Sequence, residues 1–172
     1  IEIEFAVNLE TPPGTPKVFN FLQIRPIVHS DETYNINLEK VNAGGSIIFS
    51  ESALGNGVFK GIHDLVYVKP ESFDASRNKT VAGIIENLNA SFVTEAMGYV
   101  LIGPGRWGST DPWLGIPVKW AQISAARIIV ESGLKNYRID PSQGTHFFQN
   151  LTSFGVGYLT INPYINEGYY DV

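Results

Sequence analysis

Two stretches of this 172-residue chain carry side chains that suit metal and phosphate chemistry. The first is a pair of strand-like segments near the start. Residues 1–7, IEIEFAV, alternate strictly, with Ile1, Ile3, Phe5 and Val7 on one face and Glu2, Glu4 and Ala6 on the other. After a loop with three prolines and a glycine, VFNFLQIRPIV resumes as a second strand that Pro26 ends or confines to an edge. Alternation places Gln23 and Arg25 on a common face. If the strands pair antiparallel with polar faces aligned, carboxylates come to lie near a guanidinium, although the long connecting loop leaves the register open.

The second stretch is Gly98–Gly115, GYVLIGPGRWGSTDPWLG. An apolar run from Tyr99 to Ile102 reads as a buried strand that empties into a glycine-rich loop. Gly103, Gly105 and Gly108 permit positive φ or close backbone approach, as an anion-binding turn requires, and Arg106 supplies a fork that pairs with phosphate or carboxylate. The loop also spells Gly-x-Gly-x-x-Gly after a strand, with Glu131 in the position of a ribose-binding acid. A dinucleotide site needs a helix to open at the third glycine, and Pro112, Gly115 and Pro117 break any such helix. The competing reading is a structural loop in which Arg106 pairs with Asp111 while Trp107 and Trp113 fill the core.

The elements that would position these groups follow from periodicity. Val81, Ile84, Ile85, Leu88 and Phe92 recur at helical spacing, so a helix is expected over 75–92 with Asp74 or Ser76 as its cap. A second helix is expected from Pro141-Ser142 to Gly155, Ser142 capping it and Phe147, Phe148, Leu151 and Phe154 forming its buried stripe. His146 then stands in the first turn on a polar face, where free amides favour an anion and a neutral imidazole. Such a histidine is open to three roles: phosphorylated, donating to a bound phosphate, or simply exposed. Strands are expected at 46–50, within 58–69, and at 99–102, 125–131 and 156–161, with a Tyr-rich tail as an edge strand or an interface. Pro117–Trp120 reads as a brief strand, and 121–126 as strand or helix. The sum is an α/β fold, a mixed sheet of six or more strands with two to three helices.

Composition narrows the function classes. The net charge of −5 provides no nucleic-acid or anionic-membrane footprint. No apolar run is long enough to span a bilayer, and neither terminus resembles a targeting signal, so the expected compartment is cytoplasmic. There is no cysteine, which removes disulfides, thiolate metal sites and thiol nucleophiles. The three histidines, at 29, 63 and 146, form no ligand pair. Asn-x-Ser/Thr triplets at Asn78, Asn89 and Asn150 are glycosylation acceptors only in a secreted chain.

The strand Glu2-Ile3-Glu4-Phe5 followed by Leu22-Gln23-Ile24-Arg25-Pro26 resembles the end of the ATP-grasp nucleotide-binding domain of phosphoenolpyruvate synthase and pyruvate phosphate dikinase. The resemblance implies that Glu4 ligates the Mg2+ on ATP, while Gln23 and Arg25 contact the nucleotide and the transferred phosphate. Phosphoryl transfer needs a carboxylate-held metal and a cation to spread the developing charge. Residues 1–29 would then be a β-hairpin-like remnant of the ATP-grasp domain, 30–42 a connection, and 43–172 an α/β domain of unknown role. The Gly-Pro-Gly-Arg-Trp-Gly loop, Leu114-Gly115-Ile116-Pro117-Val118 and Gly144-Thr145-His146-Phe147-Phe148 are similar to the region that follows such domains.

The family carries a phosphohistidine, and Gly144-Thr145-His146 echoes its motif, although the Leu-Gly-Ile-Pro-Val segment precedes this histidine instead of following it. The implied function is the C-terminal part of an ATP-dependent phosphotransferase. Its partner is an upstream ATP-grasp domain of the same polypeptide that supplies the glycine-rich loop and the nucleotide lysine. A second anion site for a small phosphate or carboxylate ligand would use Arg106 with the 103–108 loop and His146. A homo-oligomer is also compatible. The alternative is a non-catalytic ligand-binding or docking module.

Overall fold

The computed structural model describes residues 2–25, 45–55, 57–70, 73–135, 142, 147, 151 and 153–171. Within these the chain is mixed α/β. Its centre is a five-stranded sheet built from β4 (Ser52–Leu54), β5 (Ile62–Tyr67), β6 (Gly98–Pro104), β9 (Ala126–Ser132) and β10 (Gly157–Ile161). Their order across the sheet is β4-β10-β9-β6-β5. Neighbours from β5 to β10 run parallel, and only the edge strand β4 is antiparallel. Three two-stranded ribbons complete the strands: β1 (Glu2–Val7) with β2 (Phe19–Arg25), β3 (Ile48–Phe49) with β11 (Tyr169–Tyr170), and β7 (Arg106–Trp107) with β8 (Gly115–Ile116).

Parallel strands need crossovers that cover the sheet, so they bury both faces and read as unbroken apolar runs. The run Tyr99–Ile102 behaves in this way. Every residue of β6 is buried, with Tyr99 and Leu101 on one face and Val100 and Ile102 on the other. The first face packs under helix α1 (Asn78–Thr94), the 3-10 turn Trp120–Ile123, and Phe147 and Leu151. Phe147, Leu151 and Ser153 are in helical conformation, as expected of the second helix, whereas Phe154 is exposed and stacks on Trp120 at a centroid distance of 5.0 Å. The second face carries Val130 and Ile161 and is capped by Ile48 and Tyr170 of the β3–β11 ribbon. The Tyr-rich tail is therefore a short strand, and the sequence pattern gave no sign of β4.

Helix α1 follows a 3-10 turn over Ala75–Arg77, which Asp74 caps by accepting from the Ser76 amide at 2.9 Å. The buried stripe of α1 is Asn78, Ala82, Ile85 and Asn89, with Phe92 packed beside it. Ile84 and Leu88, expected in the core, are exposed instead. The stripe is displaced because its two asparagines have specific work on that side. Asn78 Nδ2 donates to the carbonyls of Pro112 and Gly115, both at 2.7 Å. Asn89 Oδ1 accepts from the Ala125 amide at 2.9 Å and from the Tyr99 hydroxyl at 3.2 Å. A hydrophobicity scale penalises these residues, yet buried polar groups that are fully partnered are good core residues. Neither asparagine can bear a glycan in this fold, because its amide nitrogen is buried and already donating. The third triplet asparagine, Asn150, lies outside the described residues.

Asn78 thus ties the first turn of α1 to the loop that follows β6. Asn78→Ala leaves two carbonyls of that loop without their donor, at a cost of about 2 kcal/mol. Thermal unfolding should show a melting temperature lower by roughly 5 °C; an unchanged value would contradict the clamp.

Candidate functional site

In open α/β sheets ligands gather at the carboxyl ends of parallel strands. Here that end of β6 is the glycine-rich loop, and it is built around one acid. Glu131 lies two residues past Ile129 on the helix-covered face of β9, with its backbone paired to Gly103. It is buried and collects donors from three other parts of the chain. The Trp107 amide donates to Oε1 at 3.0 Å and the Ser142 amide to Oε2 at 3.0 Å. The hydroxyls of Ser142 and Tyr158 donate to Oε1 and Oε2 through short hydrogen bonds. Each carboxylate oxygen therefore accepts two hydrogen bonds, which is what makes a buried acid tolerable.

Burial still dominates the titration. Desolvation pushes the Glu131 carboxyl above its ordinary range, and the donors from Ser142, Tyr158 and Trp107 pull it back only in part. Burial, reinforced by the neighbouring Glu131 charge, likewise raises the Tyr158 phenol. The positive charge of Arg106 acts on that phenol in the opposite sense. Arg106 itself is half-buried.

The loop glycines are required by packing. A Cβ on Gly103 would overlap the Trp107 ring, which lies in the core with its Nε1 donating to the Val130 carbonyl at 3.0 Å. Gly105 has φ +68°, and a Cβ there would collide with the Leu114 carbonyl. The four consecutive amides of the loop are all donated within the protein. Gly105 donates to Ser132, Arg106 to Leu114, Trp107 to Glu131 and Gly108 to Ile116. A ring of free N–H groups, the usual cradle for phosphate, is absent from this turn. Any anion held here would be met by the Arg106 side chain. Trp107 fills the core as the structural-loop reading expects, but Trp113 does not: it is 66% exposed, its amide donating to Asp111.

The β1–β2 ribbon belongs to a different sheet. Its register sets Glu4 opposite Gln23 and Glu2 opposite Arg25. The pairing shifts between Glu4 and Phe5, so Leu22 is an extra residue on β2. That bulge has a large effect. In an unbroken strand Gln23 would share a face with Phe19 and Phe21, since all are an even number of residues apart. With Leu22 inserted the phase reverses. Phe19, Phe21 and Ile24 face Val7, Phe5 and Ile3, while Gln23 joins Glu4 on the other side. The Phe5 and Phe19 rings stack at 5.0 Å on the apolar side. The described side chains of both strands are exposed.

Of the residues that sequence reasoning singled out, the structure thus brings Glu4 and Gln23 side by side and places the Arg25 backbone two residues farther along. Gly103, Gly105, Arg106 and Gly108 form a compact turn elsewhere. His29 and His146 fall outside the described residues. Among the described residues no group of three His, Cys, Asp or Glu side chains could by itself hold a metal ion, and no helix is long and apolar enough to cross a membrane. Glu131 was legible only as a ribose-binding acid, Ser142 only as a helix cap, and Tyr158 not at all. The available signal was an acid ending a buried apolar strand beside a glycine-rich turn. No family model, curated protein or solved structure matches this chain.

Two outcomes test the Glu131 junction. Tyr158→Phe removes a charge-assisted hydrogen bond and should cost about 2 kcal/mol, read by denaturant unfolding. The pH test has a defined sign. A carboxyl whose folded value is raised contributes stability that is fully present below the ordinary carboxylate range and is lost as pH climbs through the folded value. The melting temperature of the wild type relative to Glu131→Gln, which does not titrate, should therefore fall as pH rises from about 4 upward. A difference that stays flat over that range would show that the carboxyl is not held above its ordinary value.

Proposed function

We propose that this chain supplies, through β1 and β2, one wall of the ATP site in a phosphotransferase similar to phosphoenolpyruvate synthase and pyruvate phosphate dikinase. The observation that carries this reading is the bulged register. It sets the Glu4 carboxylate beside the Gln23 amide on an exposed face and puts Arg25 two residues farther along the same strand, opposite Glu2. By absorbing Leu22, the bulge keeps Phe19, Phe21 and Ile24 on one face and leaves the acid and the amide together on the other.

Mg2+ fits such an acid. It is usually bound by one or two carboxylates, with water and phosphate oxygens filling the remaining positions. Glu4 would be one ligand, and the described residues offer no complete set, so the remaining donors would come from ATP, from water and from the upstream ATP-grasp domain that the resemblance implies. With magnesium bound, the β- and γ-phosphate charge is partly neutralised. Gln23 would orient the nucleotide, and Arg25 would stabilise the charge that develops on the transferred group. Arg106 and its turn would be a separate contact for a phosphate or carboxylate. A docking role is favoured by one different observation, the uncovered apolar face of the same ribbon.

In the polypeptide that carries the whole nucleotide site, Arg25→Ala should slow ATP-dependent phosphoryl transfer by about 10³-fold. Glu4→Gln should raise the Mg2+ concentration needed for transfer while leaving stability within about 0.5 kcal/mol, because Glu4 is exposed. Transfer at wild-type rates in both variants would reject the reading. The 172-residue chain alone should not hydrolyse ATP, and sustained hydrolysis by it would reject the division of labour.

A further inference from the structure

The face of the β1–β2 ribbon that points away from Glu4 and Gln23 bears Ile3, Phe5, Val7, Phe19, Phe21 and Ile24, and no charged side chain. All six are substantially exposed. An isolated two-stranded ribbon is marginal in water and becomes stable when a further layer covers its apolar face. Three half-exposed phenylalanines leave about 100 Å² each to be covered. The three aliphatic side chains bring the face to roughly 500 Å², near the upper end of what monomers expose.

We propose that this face is the contact surface of a homodimer, formed by two copies of the ribbon packed face to face. Two such faces bury about 1,000 Å², the lower bound of a specific interface. The pattern is self-complementary. A two-fold axis through the Phe5–Phe21 pair places the aromatic end, Val7 and Phe19, on the aliphatic end, Ile3 and Ile24, of the partner copy. A contact of that kind is isologous and closes at two. The face itself carries no charged side chain, so no like charges of the face residues oppose each other across the contact. The dimer leaves Glu4 and Gln23 on the outer surfaces, so it stands independently of the phosphotransferase reading.

The test uses the 172-residue chain in sedimentation equilibrium. The wild type should self-associate with a dissociation constant on the order of micromolar, as expected of a small apolar contact. Phe21→Thr, which keeps a strand-forming residue, should weaken association at least about 10-fold. Because the chain has no cysteine, single thiols report the geometry directly. Phe5→Cys, close to the axis, should oxidise readily to a disulfide-linked dimer, whereas Asn20→Cys on the opposite face should not. A wild type that remains monomeric at about 100 μM would overturn the proposal; this is the outcome expected if another part of a longer polypeptide covers the face. Equal cross-linking at the two positions would overturn it as well. Loss of ATP-dependent activity in Glu4→Gln has no bearing on either result.

Discussion

The carboxylate of Glu131 is the constraint to which the rest of the main sheet adjusts. It is buried at the carboxyl end of a parallel strand and draws the Trp107 amide, both donors of Ser142 and the Tyr158 hydroxyl onto its two oxygens. A charge removed from water in this way is tolerated only when its lone pairs are filled, and breaking one such contact costs more than making it gains. The turn after β6 must therefore bend back far enough to deliver an amide to β9. The glycines at 103 and 105 make that bend possible by letting an indole and a carbonyl approach the backbone. The loop is fixed from the opposite side by Asn78, so it is held between an acid of the sheet and an amide of the helix.

This arrangement changes what a glycine-rich turn at a strand end signifies. Such turns often bind phosphate because their amides are free. In this chain the four amides from Gly105 to Gly108 are all consumed by the fold. The same residue types thus serve an internal anion, the Glu131 side chain. Arg106, at the centre of this turn, is half-buried.

The legible parts of the fold are those set by long hydrophobic patterns. The run Tyr99–Ile102 reads as a doubly buried strand and is one; Ile128–Glu131 and Val156–Ile161 lie on strands that begin and end within a residue or two of expectation. Failures occur where polar chemistry overrides apolar spacing. Ile84 and Leu88 fit the periodicity of a core helix, yet the core face is taken by Asn78 and Asn89, whose side chains secure two loops. Trp113 reads as a core residue and is exposed, because Asp111 folds the tip of its loop into a local turn. Glu131 was legible as an acid but not as a junction, since its partners at 107, 142 and 158 come together only in three dimensions. In the ribbon, alternation identified both faces of β1, but the phase of β2 could not be read without the bulge.

That single inserted residue also sets how the ribbon can vary through evolution. The identities of Ile3, Phe5, Phe19 and Phe21 could drift among apolar types with little effect on which side faces where. A deletion at Leu22 would only remove the bulge and leave Gln23 and Ile24 on their present sides, whereas a deletion at Asn20 would rotate the residues on one side of it by half a turn. The apolar positions should accordingly accept other apolar residues freely, while the segment should tolerate a change of length only at the bulge.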